Sequence, residues 1–176
     1  MNRLEGKVAL IIGAGQSPGE AMGNGRATVI RFIQEGAHVL AVDRNLESAQ
    51  ESIDMAGSKN VNSEAFAADV TQTQMLQAAV DRAVERWGRI DILHYNVGVS
   101  VMAGEQTLDK LTDDVFDSVH AINLRGAVMA AKFVLPVMRK QQSGVIINVA
   151  SITAIETVTP LVAYRTSKAG MVAFTQ

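Results

Sequence analysis

Cysteine is absent from the 176 residues. That removes disulfides, thiolate chemistry and Cys-based metal sites, and it fits a reducing compartment. A basic excess is absent as well. Sixteen Lys and Arg face eighteen Asp and Glu, for a formal charge of −2. Neither nucleic acid nor an anionic membrane is therefore the expected partner. The apolar run Val8–Ile12 is too short for the hydrophobic region of a signal peptide, and it leads into glycines rather than a cleavage site. No apolar stretch nears the roughly 18 residues of a membrane span. The expectation is a cytoplasmic protein. His94 and His120 lack a second ligand at useful spacing, so no metal is expected. There is no internal repeat, linker or low-complexity segment. What remains is an ordinary globular composition, 48% apolar and 19% charged, in a chain sized for one domain with a sizeable core.

Apolar runs alternate with helix-period segments throughout. Strands are expected at Lys7–Ile12, His38–Val42, Ser63–Ala68, Ile90–Tyr95 and Gly144–Val149. Helices are expected from the end of a Gly13–Gly25 loop to about Glu35, over Leu46–Met55, from a Thr71 cap to Trp87, over Thr112–Lys140, and from just after Pro160. Gly36 and Gly88 read as helix stops. Continuous Val/Ile/Leu strands separated by helices imply a parallel sheet covered on both faces. The fold class is thus α/β, a doubly wound parallel sheet with strand order 3-2-1-4-5. Ligands are expected at the carboxyl ends of its strands.

The residues at those ends are informative. Gly13, Gly15, Gly19, Gly23 and Gly25 separate the first strand from its helix, and Asn24 lies among them. Such a loop lets backbone approach a pyrophosphate, and the following helix N-terminus favours an anion. Asp43, at the tip of the second strand, is placed to accept hydrogen bonds from an adenosine ribose. A carboxylate there welcomes ribose hydroxyls and repels a 2′-phosphate. The loop has no Lys or Arg before Arg26, so NAD(H) is preferred over NADP(H). Arg44 either offsets that preference or is a solvated loop charge.

Near the C-terminus Tyr164 and Lys168 lie four apart, on one face of a helix, with Ser151 upstream. An ammonium beside a phenol favours the phenolate and makes it usable as a general acid or base near neutrality.

With these residues assembled, the chain resembles a short-chain dehydrogenase/reductase of the compact, single-domain, Rossmann-like kind, from about Gly6 to Gln176. Ser151 with Tyr164-x-x-x-Lys168 carries the resemblance most specifically. Asn123 matches the fourth member of the family's catalytic tetrad, Asp69-Val70 its adenine-contacting pair, and Asn96-Val97-Gly98 its Asn-Ala-Gly stretch beside the cofactor. The resemblance implies reversible hydride transfer between a nicotinamide cofactor and a secondary alcohol or ketone. Tyr164 would be the general acid/base. Lys168 would lower its pKa and hold the nicotinamide ribose. Ser151 would polarise the substrate oxygen, and Asn123 would hold a water that passes protons to Lys168. Read singly, each has a plainer alternative: a half-buried tyrosine, a surface lysine, a strand-end turn and an exposed helix asparagine. Asp69 is equally readable as a turn or capping residue.

The chain departs from the family pattern in places. Gly23-Asn24-Gly25 comes six residues later than the family loop wants, with the extra residues in Gln16–Met22. These either fold over the pyrophosphate or bulge into solvent. Ile12 replaces the usual Thr, and Tyr95 the usual first Asn, which is expected to weaken local hydrogen bonding. Family members continue into two further strands and a substrate lid. The expectation is an N-terminal portion of a longer enzyme, with the fifth strand as an uncovered apolar edge, or covered by a partner chain. Mostly apolar substrate walls are expected from Val99–Ala103 and Ile152–Val158, with Glu156 the exception. The expected partners are a small carbonyl or alcohol substrate and a second copy, as a homodimer or homotetramer, with Met129, Phe133 and Val137 striped along the long helix. Two rival readings are a non-catalytic dinucleotide-binding or assembly module, and a Rossmann-like methyltransferase in which the Ser-Tyr-Lys set has no job.

Overall fold

The computed structural model describes residues 2–17, 19, 21–57, 62–101, 104–105, 107–156 and 160–176. Five strands, β1 (Val8–Ile12), β2 (His38–Asp43), β3 (Glu64–Ala67), β4 (Ile92–Tyr95) and β5 (Val145–Asn148), form one sheet. Their order is β3-β2-β1-β4-β5 and every pairing is parallel. Six α-helices connect them: α1 (Asn24–Gln34), α2 (Leu46–Asp54), α3 (Thr73–Trp87), α4 (Asp113–His120), α5 (Gly126–Gln141) and α6 (Val162–Thr175).

All of β1 is buried, as a strand covered on both faces must be. Alternate side chains feed two cores. Leu10, Ile12, Leu40, Val42, Leu93 and Tyr95 meet α3, α5 and Met171 of α6 on one face. Ala9, Ile11, Val39, Ala41 and Ile92 meet α1 and α2 on the other. β5 pairs with β4 alone, and its Val145 and Ile147 remain 56% and 38% exposed, so the fifth strand is an apolar edge among the described residues.

Several local expectations need correction. α1 starts at Asn24 with Gly23 as its N-cap, so Asn24 and Gly25 belong to the helix's first turn and not to the loop. Thr71 does not cap α3. Gln72 occupies that position, and both the backbone N–H and the hydroxyl of Thr71 donate to Asp69 Oδ1. The long helix is not uniform either. A π-helical turn, Ala121–Arg125, separates α4 from α5. Together they make a run of 29 residues, Asp113–Gln141, long and apolar enough by composition to cross a membrane, contrary to the apolar-run reading. Ala127, Ala130, Ala131, Val134 and Met138 along it are built into the core.

Candidate active site

Chain geometry brings the carboxyl ends of β1, β2 and β4 around one cleft of about 540 Å³, within the range of small-molecule sites. Gly13, Gly15, Gly23, Gly25, Asp43, Arg44, Asp69, Val70, Asn96, Val97 and Gly98 all line it. Asn24, expected with them, is not among the lining residues. Gln16 and Ser17, from the base of the loop insertion, also line it, as do Asn45, Thr71 and Ile122, which carry no expectation of a contact.

The glycines are required by close approach. Gly13 has φ +84°, a left-handed conformation that disfavours side chains. A Cβ on Gly25 would fall directly on the Gly13 carbonyl oxygen. That carbonyl also accepts the Asn96 side-chain amide at 3.4 Å, so strand β4, loop and α1 converge there. A Cβ on Gly15 would lie 2.9 Å from the Asp43 carboxylate. Asp43 Oδ2 accepts the Gly15 N–H at 2.8 Å and Oδ1 accepts the Asn45 N–H at 3.0 Å. Asp43 thus shapes the loop as well as facing the cleft. Arg44 is exposed at the rim. Asp69 lines the cleft while its Oδ1 holds Thr71, so its turn role and a ligand-facing position coexist. A cradle of bare backbone ending in an acid fits a dinucleotide.

Of the tetrad candidates, Lys168 and Asn123 bond to the Val97–Val99 wall of this cleft, and Tyr164 packs beside Lys168. None of the four lines the cleft, and the side-chain bonds of Ser151 run to Thr153. Lys168 is only 2% exposed. Its ammonium donates to the Val149 carbonyl at 2.8 Å and the Val97 carbonyl at 3.5 Å. It stands 5.8 Å from the centroid of the Tyr164 ring. The surface-lysine alternative is therefore removed. Burial lowers its pKa to about 8, because desolvation penalises the ammonium. Tyr164 is half-buried, and its N–H points to the buried Glu105 carboxylate at 3.1 and 3.2 Å. Glu105 thereby serves the N-terminus of α6 from a loop 59 residues upstream, a role no local pattern announces. Ser151 Oγ accepts from the Thr153 N–H and hydroxyl, at 3.3 and 2.9 Å.

Asn123 is fully buried, so it is not an exposed helix asparagine. Its side chain is not a free water holder either. Oδ1 accepts the Val99 N–H at 2.8 Å, and the amide donates to the Val99 carbonyl at 2.9 Å and to Ser167 Oγ at 3.0 Å. Asn123 fastens the π turn to the cleft wall and to α6. Tyr95 supports the same turn. Its phenol donates to the Ile122 carbonyl at 2.5 Å, so replacing the usual Asn adds a buried bond instead of weakening the site. Burial raises the Tyr95 pKa, keeping the donor proton in place. Ile12 packs in the core and keeps its backbone link to the Asn96 N–H at 2.9 Å.

Of the expected substrate walls, Val101, Ile152 and Ile155 are exposed apolar residues. Met102, Ala103, Thr157 and Val158 lie outside the described residues, as do Pro18 and Glu20 of the loop insertion.

The family model for short chain dehydrogenase matches residues 7–176. The chain belongs to that family. A dehydrogenase fold neighbour, an NAD⁺-bound xylitol dehydrogenase, superposes with a TM-score of 0.87 at 31% identity, covering 98% of this chain and 64% of its own. A 3-oxoacyl-(acyl-carrier-protein) reductase of Thermotoga maritima is 34% identical over 174 residues, 99% of this chain and 67% of that protein. D-threitol dehydrogenase of Mycolicibacterium smegmatis is 38% identical over 170 residues, 97% of this chain and 62% of that protein. This short-chain dehydrogenase chain thus spans about two thirds of the length of relatives it matches. The doubly wound sheet expected from the sequence is that of its family.

Proposed function

We propose that the chain carries the cofactor site and proton-transfer residues of an NAD-dependent dehydrogenase acting on a secondary alcohol or ketone. The observation that carries this reading is Lys168, buried beside the Tyr164 ring at the wall of a cleft lined by glycines and Asp43. A nicotinamide dinucleotide, when bound, supplies the hydride-transfer chemistry.

The chain's own residues do the rest. Gly13, Gly15, Gly23, Gly25 and the α1 N-terminus would hold the pyrophosphate, and Asp43 would accept from the ribose hydroxyls, favouring NAD over NADP. Lys168, held by the Val149 and Val97 carbonyls, keeps its ammonium 5.8 Å from the centroid of the Tyr164 ring. Tyr164 gives a proton to the carbonyl oxygen in reduction and takes it from the hydroxyl in oxidation. The Ser151 hydroxyl stabilises the negative charge on that oxygen. Asn123 acts by positioning, since its amide ties Val99 to α6. The exposed Val101, Ile152 and Ile155 favour a small or moderately apolar carbonyl compound. Assembly as a homodimer or homotetramer in the cytoplasm belongs to the same reading. Phe133 and Val137 line a groove between α3 and α5, while both also pack against the core, as does Met129.

The test is a fluorescence titration with NADH followed by a dehydrogenase screen on secondary alcohols and ketones, for wild type and Tyr164→Phe. Expected are binding by both and turnover by wild type alone. Binding without turnover in wild type would return the reading to a non-catalytic module.

A further inference from the structure

The long loop between β1 and α1 is closed by one side chain. Gln16 is anchored through its backbone, whose N–H donates to Ser48 Oγ of α2 at 2.8 Å. Ser48 Oγ in turn receives Arg26 Nη2 of α1 at 3.1 Å, so the point of attachment is tied to both helices. From there the carboxamide crosses the base of the insertion. Oε1 accepts the Gly23 N–H, seven residues on, at 2.7 Å. Nε2 donates to the Ser17 and Ala21 carbonyls, each at 2.9 Å. Both polar ends of the side chain are thus engaged.

Gly23 is the N-cap of α1, and no side chain caps it in the usual way. Gln16, Ser17 and Gly23 all line the cleft. Among the described residues, the clamped base of the insertion thus lies at the cleft, while Gly19, Ala21 and Met22 are exposed.

We propose that the Gln16 carboxamide is a latch that sets dinucleotide affinity, by holding Gly23 and the start of α1 in register across the enlarged loop. The inference rests on the proposed cofactor site. A longer loop has more conformations to lose when an anion orders it, and a clamp that removes them beforehand raises affinity. Gln16→Ala removes all three side-chain bonds. Gln16→Glu keeps an acceptor for Gly23, but it loses both donors and places a carboxylate against two carbonyls and beside the cofactor phosphates.

The experiment measures NADH Kd and amide hydrogen exchange of cofactor-free protein for wild type and both variants. Gln16→Ala is expected to raise Kd about tenfold, the scale of one or two net hydrogen bonds. Gln16→Glu is expected to raise it further at low salt, with the excess shrinking as salt rises. Exchange at Gly23 is expected to accelerate in Gln16→Ala and to stay closer to wild type in Gln16→Glu, with little change in Tm in either, because the loop lies outside the core. Equal NADH affinity in wild type and Gln16→Ala, or unaccelerated exchange at Gly23 in that variant, overturns the latch alone. A wild-type chain that binds neither NADH nor NADPH overturns the function and the latch with it.

Discussion

Asp43 gives the most discriminating perturbation, because it has two jobs that substitution separates. Its carboxylate holds Gly15 at 2.8 Å and Asn45 at 3.0 Å, and it lines the cleft. Asp43→Ala removes both backbone bonds and the ribose acceptor. Hydrogen bonds to a charged group contribute roughly 1.5–3 kcal/mol when buried, and about half that is a fair scale for this half-exposed side chain. Loss of the loop contacts alone should weaken NADH and NADPH together by about tenfold. Loss of the ribose acceptor should cost NADH roughly another tenfold, whereas NADPH gains by losing repulsion from its 2′-phosphate. The ratio of the two Kd values is therefore expected to shift by ten- to a hundredfold toward NADPH, most strongly at low salt. Asp43→Asn, which still offers an oxygen to Gly15, should show the shift in ratio with less of the common loss. Both are read by nicotinamide fluorescence titration at two ionic strengths. Equal losses for the two cofactors would refute the ribose role and leave Asp43 as a loop brace only.

Three further outcomes follow from the interior of the site. Burial lowers Lys168 to about 8 from 10.5. Between those values the unfolded chain holds a proton that the folded chain does not, so this residue's cost is full below pH 8 and is relieved as pH rises toward 10.5. Denaturant unfolding of wild type relative to Lys168→Met should thus gain on the order of 2 kcal/mol across that window; a flat difference would contradict the burial argument. Tyr95→Phe leaves the Ile122 carbonyl without its phenol and should cost about 1–3 kcal/mol. A Cβ on Gly126 would fall against that same hydroxyl. Gly126→Ala should therefore be far less damaging in the Phe background, and additive Tm losses would dismiss the contact.

How much of this was readable from the chain differs by element. β1 and β2 were legible because continuous apolar runs, five residues in Val8–Ile12 and four in 39–42, cannot satisfy one face only, and glycine and aspartate follow at the carboxyl ends. The α3 stop was legible because Gly88 takes a left-handed conformation, φ 72°. The π turn was not. Ala121–Arg125 carries no sequence mark of its own, and it coincides with bonds from Tyr95 and to Val99. Asn123 was legible as a family match but not as a buried brace, since helical periodicity says nothing of partners in a distant loop. Glu105 and Gln16 were invisible for the same reason. One caps a helix 59 residues away, and the other closes a loop with no periodicity at all.

The central claim is that Tyr164, beside Lys168, exchanges the proton that accompanies hydride transfer from a nicotinamide in the glycine-lined cleft. Transfer of deuterium from C4-deuterated NADH into a ketone, followed by mass spectrometry of the product alcohol, tests it most directly. The account requires deuterium at the carbinol carbon with wild type, and its loss in Tyr164→Phe while NADH binding persists. Label transfer undiminished in Tyr164→Phe, or no transfer by a wild-type chain that binds NADH, would contradict it.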